Sequence, residues 1–189
     1  MPDPRIADRI EITDALNRYI RGVDRCNWEL VRSSYHADAY DDRGFYQGDI
    51  DGFIAHLIRR HKHVEQSMHV IGNMVFEFID ADSALLETYY VCYQRIGPGA
   101  GDSLLPFLRG APLVPGLPVE TEIVGRYIDH FTCRDGQWRI AHRLVLAEVL
   151  RGTCAPVGGG LAAQWTPARR DGDDPLERRR AELGLPLQK

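Results

Sequence analysis

The sequence predicts an α+β domain in which helices come first and a curved antiparallel sheet follows. Three observations carry that reading. Apolar residues up to about Ile58 recur at helical spacing, and from Met68 onward they alternate with a period of two. The chain of 189 residues is also long enough to form one core, burying about 70% of its unfolded surface without disulfide support.

Asp3-Pro4 reads as an N-cap followed by proline at the first helical position. Ile6, Ile10, Leu16, Tyr19, Ile20 and Val23 then mark one face of a first helix that ends near Gly22. Asn27 caps a second, short helix through Trp28, Val31 and Tyr35, and Asp49 or Asp51 caps a third carrying Phe53, Ile54, Leu57 and Ile58. The strands are MHVIGNMVFEFID, SALLETYYVCYQRI, TEIVGRYIDHFTC and QWRIAHRLVLAEVL. The last two flank Arg134-Asp135-Gly136, whose Asp-Gly pair is a hairpin signal. Residues 1–150 make the domain. Residues 151–189 are a C-terminal extension, loop plus a short helix from Asp174-Pro175 to Gly184, expected to pack on the domain or on a neighbouring subunit. The Gly- and Pro-rich stretch from Gly97 to Pro118 also carries Leu104, Leu105, Phe107 and Leu108, which favours a lid over a cavity mouth or a subunit contact.

Composition removes several function classes. The net charge is −4, and basic residues are dispersed apart from Arg178, Arg179 and Arg180, so no nucleic-acid partner is expected. No apolar run approaches the ~20 residues of a membrane span, and the start lacks a basic-then-apolar leader, so a cytoplasmic protein is expected. Cys26, Cys92, Cys133 and Cys154 are scattered without metal spacing and are expected to be reduced thiols. His61-Lys62-His63 suits a helix C-terminus better than a metal, and Gly158-Gly159-Gly160 lacks the residues of a phosphate loop. Asp41-Asp42-Arg43-Gly44 reads as a turn at a cavity rim.

The residues that can carry chemistry are Tyr19, Asp24 and His69. A histidine held in one tautomer by a carboxylate is a general base, and a phenol beside it can donate to a leaving oxygen. Tyr19 and Asp24 lie five positions apart, which on one helix separates them by about 140°. The plainer reading makes Asp24 a cap and Tyr19 a core aromatic. By strict alternation His69 shares a strand face with Ile71, Asn73, Val75 and Glu77, either facing a partly polar cavity or lying on an exposed edge. Glu87, Tyr89 and Tyr93 share a face of the next strand, and Arg143 shares one with Arg139, Ala141, Val145 and Ala147. Tyr89, Tyr93, Arg143 and Asn73 are therefore candidate substrate-binding residues, with pairing of Arg143 to Glu87 as the alternative.

The stretches RYIRGVDRCNWELVRSSYHADAYDDRG, SMHVIGNMVFEF and GRYIDHFTCRDGQWRIAHR, in that order from Arg18 to Arg143, resemble the SnoaL-like family of the nuclear transport factor 2-like superfamily. That resemblance implies a cone-shaped, cystatin-like α+β barrel. It also points to cofactor-independent lyases such as scytalone dehydratase, bile acid 7α-dehydratase and hexachlorocyclohexane dehydrochlorinase. Asp24 and His69 match the Asp–His pair of those enzymes by position, and Tyr19 matches the tyrosine five residues before the Asp in the bile acid enzyme. Where that enzyme has an Asp and an Arg on later strands, this sequence has Tyr93 and Ala147, which argues against the same steroid anchoring.

The resemblance thus implies a lyase without cofactor or metal that acts on a small hydrophobic cyclic or aromatic molecule. Water, halide or formaldehyde would leave after proton removal by His69. It also implies a homo-oligomer, with a trimer favoured over a dimer. Two other readings stand beside it: a non-catalytic ligand-binding or assembly module, such as a dioxygenase β-like subunit, and an isomerase or cyclase.

Overall fold

Bulges in the long strands, and one parallel pairing, decide which way the side chains of this fold point. The computed structural model describes residues 4–158, 162 and 164–186. The elements are α1 (Ile6–Arg25), α2 (Trp28–Arg32), β1 (Tyr35–Asp42), β2 (Gln47–Asp49), α3 (Ile50–His61), β3 (Val64–Phe78), β4 (Ser83–Ile96), a 3-10 turn (Pro98–Leu104), α4 (Leu105–Leu108), β5 (Val119–Arg134), β6 (Gln137–Cys154) and α5 (Pro175–Glu182). The sheet order is β2-β1-β6-β5-β4-β3.

The first helix does not stop at Gly22. It continues through Arg25 and ends at Cys26, whose left-handed backbone (φ 57) turns the chain, while Asn27 N–H closes onto Gly22 O at 2.9 Å. Gly22 serves a different purpose. A Cβ there would lie 2.7 Å from Val31 Cγ2, so glycine is what lets α2 fold back onto α1. The expected cap at Asp3 lies outside the described residues. Asn27, Asp49 and Asp174 cap α2, α3 and α5, each accepting a backbone N–H from the first turn.

Two strands were not foreseen. Tyr35 opens β1 rather than continuing the second helix, and β1 pairs in parallel with β6, so the sheet is mixed rather than wholly antiparallel. It is curved and stays unclosed, in the cone-like manner expected. YHADAYDD is rich in Ala and Asp, poor in the β-branched residues that announce a strand, and its main partner lies about a hundred residues away. The β5–β6 hairpin turns at Asp135 and Gly136, both with positive φ (52 and 70), as an Asp-Gly turn requires. β6 runs on to Cys154, past the expected boundary at residue 150.

α1 and α3 bury Ile12, Leu16, Tyr19, Phe53 and Leu57 against Leu86, Tyr127, Phe131 and Ile140 of the sheet. Burying each large apolar side chain contributes about 1.5–3 kcal/mol. A second, smaller cluster joins Leu104 and Leu108 to Val64, Ile96 and Val119, so the Gly97–Pro118 stretch is packed by its own helical turns. The tail returns across the end of α1. Arg21 pairs with Glu177 at 2.5 Å, and Arg170 donates to the Val23 and Asp24 carbonyls at 3.2 and 2.7 Å. Both carbonyls lie in the last turn of α1, where the helix itself supplies few donors.

Candidate active site

β3 enters the molecule with Ser67 and His69 on the same inward face, and α1 delivers Asp24 to both of them. Asp24 Oδ1 accepts from Ser67 Oγ at 2.7 Å and meets His69 Nδ1 at 2.7 Å, while Oδ2 accepts the His69 backbone N–H at 2.8 Å. Burial pushes the Asp24 carboxyl up, but the His69 and Ser67 hydrogen bonds outweigh it and hold it below the ordinary carboxylate value. Burial likewise pushes His69 down. There Cys92, its direct partner across β4, and Asp24 prevail, holding the imidazole up to about 10. Both shifts favour the charged forms of the pair.

His69 and Cys92 form part of the wall of a cavity of about 530 Å³. Its apolar lining includes Val23, Phe53, Leu57, Ile123, Val145 and Leu150, and Phe107 and Pro106 of the Gly97–Pro118 stretch complete it. Tyr19 also faces this space. Its hydroxyl accepts from Arg43 Nη2 at 2.8 Å, and Arg43 is itself held by Asp41 at 2.6 Å. The 140° separation of Tyr19 and Asp24 is real, because Tyr19 lines the cavity directly while Asp24 stands behind His69. The expected rim turn thus contributes a working arginine, Arg43.

The four substrate-binding candidates do not reach the cavity. Tyr89 and Tyr93 lie on the outer face of β4, 44% and 51% exposed, and Tyr89 sits under the Arg126 guanidinium, 5.9 Å from it. Asn73 is exposed because β3 bulges between Ile71 and Met74. Ser67, His69 and Ile71 face inward before the bulge, and Met74, Phe76 and Phe78 after it, so strict alternation fails at Gly72-Asn73. Arg143 is wholly buried and fully engaged. It makes two bonds to Asp129 (2.7 and 2.6 Å), donates to the Tyr35 hydroxyl at 3.2 Å, and lies 4.2 Å from both the Tyr19 and Tyr127 rings. Glu87, the partner considered for it, pairs with Arg126 at 2.6 Å instead. A further bulge between Ile140 and His142 places Trp138 and Ile140, then Arg143 and Val145, on the inner face.

Several contributors were missed: Ser67, Cys92, Gln94, Arg43 and Arg60. Ser67 carried a signal, being two residues before His69, and so did Arg60, at the inward spacing Phe53, Leu57, Arg60 on α3. Burial and the flanking Arg60 and Arg170 guanidiniums push His61 down to about 3, so it is neutral and accepts from Arg170 Nη2 at 2.7 Å. Among the described residues no group of three or more His, Cys, Asp or Glu side chains could hold a metal ion, and no helix is long and apolar enough to cross a membrane.

The SnoaL-like domain family matches residues 4–144, three quarters of the chain. The chain belongs to the SnoaL-like family. Among solved structures, a type 2 hexachlorocyclohexane dehydrochlorinase (LinA) superposes with a TM-score of 0.65 at 19% identity, covering 82% of this chain and 97% of that one. LinA type 3 from Novosphingobium barchaimii gives 0.64 at 17%, covering 86% and 97%. A protein from Novosphingobium aromaticivorans, assigned only by name as a scytalone dehydratase, gives 0.63 at 15%, covering 88% and 100%. At these identities the likeness is one of fold. No curated protein matches this SnoaL-like chain in sequence.

Proposed function

We propose that this SnoaL-like protein is a cofactor-independent lyase in which His69, oriented by Asp24, removes a proton from a hydrophobic cyclic or aromatic substrate. The observation that carries the reading is the 2.7 Å contact between Asp24 and His69 at the wall of the cavity. A binding module has no need to hold these two groups together, still less to add Ser67 and a backbone N–H to the same carboxylate. The fold shared with LinA supports the same class of chemistry.

In this mechanism neutral His69 takes the substrate proton, the freed electron pair forms the new double bond, and the leaving group departs. Arg43 donates to the Tyr19 oxygen, which leaves the phenolic O–H free to protonate a departing hydroxyl. A halide would leave without that proton. If a hydroxyl is the group deprotonated, the same base drives a carbon–carbon cleavage that releases formaldehyde. Only the neutral form of His69 is a base, so turnover rises with pH towards about 10. The assembly we propose is a homotrimer. Met68, Val70 and Tyr93 on the outer face supply exposed apolar surface for it, and light scattering on the purified chain tests it.

A screen of hydroxylated and halogenated polycyclic and diaryl compounds, followed by mass spectrometry for loss of water, halide or formaldehyde, tests the reading. Turnover that disappears in His69→Ala and Asp24→Asn, with the circular dichroism spectrum unchanged, is the expected result. Turnover indifferent to His69 would remove the mechanism.

A further inference from the structure

Among the described residues, one guanidinium in the cavity wall has no carboxylate to balance its charge. Of the other basic groups in that wall, Arg43 has Asp41 at 2.6 Å and His69 has Asp24 at 2.7 Å. Arg60, on the inward face of α3 and part of the same wall, has no carboxylate partner among the described residues. Its one good protein acceptor is Gln94 Oε1, 2.7 Å from Nη2, and Gln94 is fixed in turn by donating to Ser67 Oγ at 3.3 Å. The other neighbour, His61 Nε2 at 3.5 Å from Nη1, does not serve. His61 is neutral and accepts at Nδ1 from Arg170, so Nε2 carries the ring proton. A guanidinium has five N–H donors, and most of Arg60's have no acceptor among the described residues.

Burial lowers the Arg60 pKa, and the nearby Arg170 and Arg43 lower it further. The groups that favour its charged form are Cys92 and Tyr19, and neither is a carboxylate. A partly buried cation beside apolar walls, short of acceptors and counter-charge, is unfavourable unless something else supplies them.

We propose that the cavity binds a substrate carrying a carboxylate, which Arg60 anchors through paired N–H donors while the apolar body lies against Phe53, Leu57, Phe107, Ile123 and Val145. The geometry of a guanidinium suits a planar carboxylate, which can take two parallel hydrogen bonds. One uncompensated positive charge calls for one negative charge, and the rest of the lining suits an uncharged ring or chain. Gln94 fixes the guanidinium from the side of Ser67, so Arg60 and the dyad share one hydrogen-bonded support. The ligand's acidic end and its reacting carbon are thereby held relative to each other.

This inference rests on the reading of the cavity as a substrate site, but it is tested by binding without turnover, so the two can fail separately. Benzoate, 2-naphthoate and 4-phenylbutyrate, each beside its primary carboxamide, are titrated into the intact chain by calorimetry. At least one acid is expected to bind about 10- to 100-fold more tightly than its amide, the range for a hydrogen bond to a charged group. Arg60→Gln is expected to abolish that preference while leaving amide affinity within a few-fold, and Arg60→Lys to keep part of it. Should Arg60→Gln fail to fold, the comparison of acid with amide in wild type and Arg60→Lys decides. Amides binding as tightly as acids, an acid preference that survives Arg60→Gln, or no binding by any acid would each overturn the proposal. The last result would leave the elimination chemistry of His69 to its own turnover test.

Discussion

Two buried polar clusters lie within this fold, and they differ in what they leave unspent. Around Arg143, Asp129 takes two hydrogen bonds, Tyr35 bridges to Asp41, and the Tyr19 and Tyr127 rings cover the guanidinium faces. Burial holds the Asp129 carboxyl above the ordinary carboxylate value, opposed by the guanidinium bonded to both its oxygens, and the cluster is closed. Around His69, Asp24 is equally well occupied, but the imidazole itself forms part of the cavity wall and Arg60 has no carboxylate partner among the described residues. A closed polar cluster stabilises a scaffold; one that reaches a cavity with spare valence can act on what enters. The sequence made both attractive as sites, and only their surroundings separate them.

The largest break in the comparison is expected at the dyad. His69→Ala should lower turnover by about 10² to 10⁴, the usual contribution of a general base, and lower the thermal midpoint less than a break at the other cluster, because Asp24 keeps Ser67 Oγ and a backbone N–H. Steady-state kinetics beside a melting curve checks both halves. At the closed cluster the expectation reverses. Arg143→Met leaves Asp129 buried without its partner and should cost about 3–5 kcal/mol of stability in denaturant unfolding, and pairing it with Asp129→Leu should restore much of that loss.

A smaller effect concerns protons. The His69 pKa is held up to about 10 against burial, first by Cys92 and then by Asp24. A raised imidazole pKa stabilises the fold fully below its ordinary value of 6.5, and that contribution is lost as pH rises to about 10. The lowered Asp24 pKa gives the opposite limb, with stability lost as pH falls into the acid range. Activity should therefore climb over the same alkaline window in which this part of the stability is lost. Cys92→Ala removes the first upward influence, so the midpoint of kcat/KM against pH should move down towards the ordinary imidazole range and activity at pH 7 should rise. An unmoved profile would show that Cys92 does not set the protonation of His69.

The smallest effect is expected at Arg170. Its side chain ties the tail to the carbonyls of Val23, Asp24 and Val64 behind the dyad. Arg170→Ala should cost about 1.5–3 kcal/mol in unfolding, the range for hydrogen bonds to a charged group, and only a few-fold in turnover.

The caps at Asn27, Asp49 and Asp174, the Asp-Gly hairpin and the period change at Met68 were legible in the sequence, and the Asp24–His69 pairing was legible through the family resemblance. Residues beyond a bulge were not. Asn73 was assigned inward by counting in twos, and the extra residue near Gly72 turned it to solvent, although a glycine within a strand is itself a bulge signal. Tyr89 and Tyr93 were placed on the right strand and the wrong face, because alternation tells which residues share a face without telling which face is inner. β1 stayed hidden because its partner is distant in sequence and its composition is that of a loop. The Arg143–Asp129 pair depends on the register between β5 and β6, which periodicity does not supply.

One chemical change made at both clusters tests the account most directly: Asp24→Asn and Asp129→Asn, each measured for turnover per folded molecule and for unfolding free energy. Asp24→Asn is expected to abolish turnover at a modest cost in stability, whereas Asp129→Asn is expected to lose stability and leave the folded fraction active. Full turnover in Asp24→Asn, or activity lost in a stable Asp129→Asn, would contradict the account.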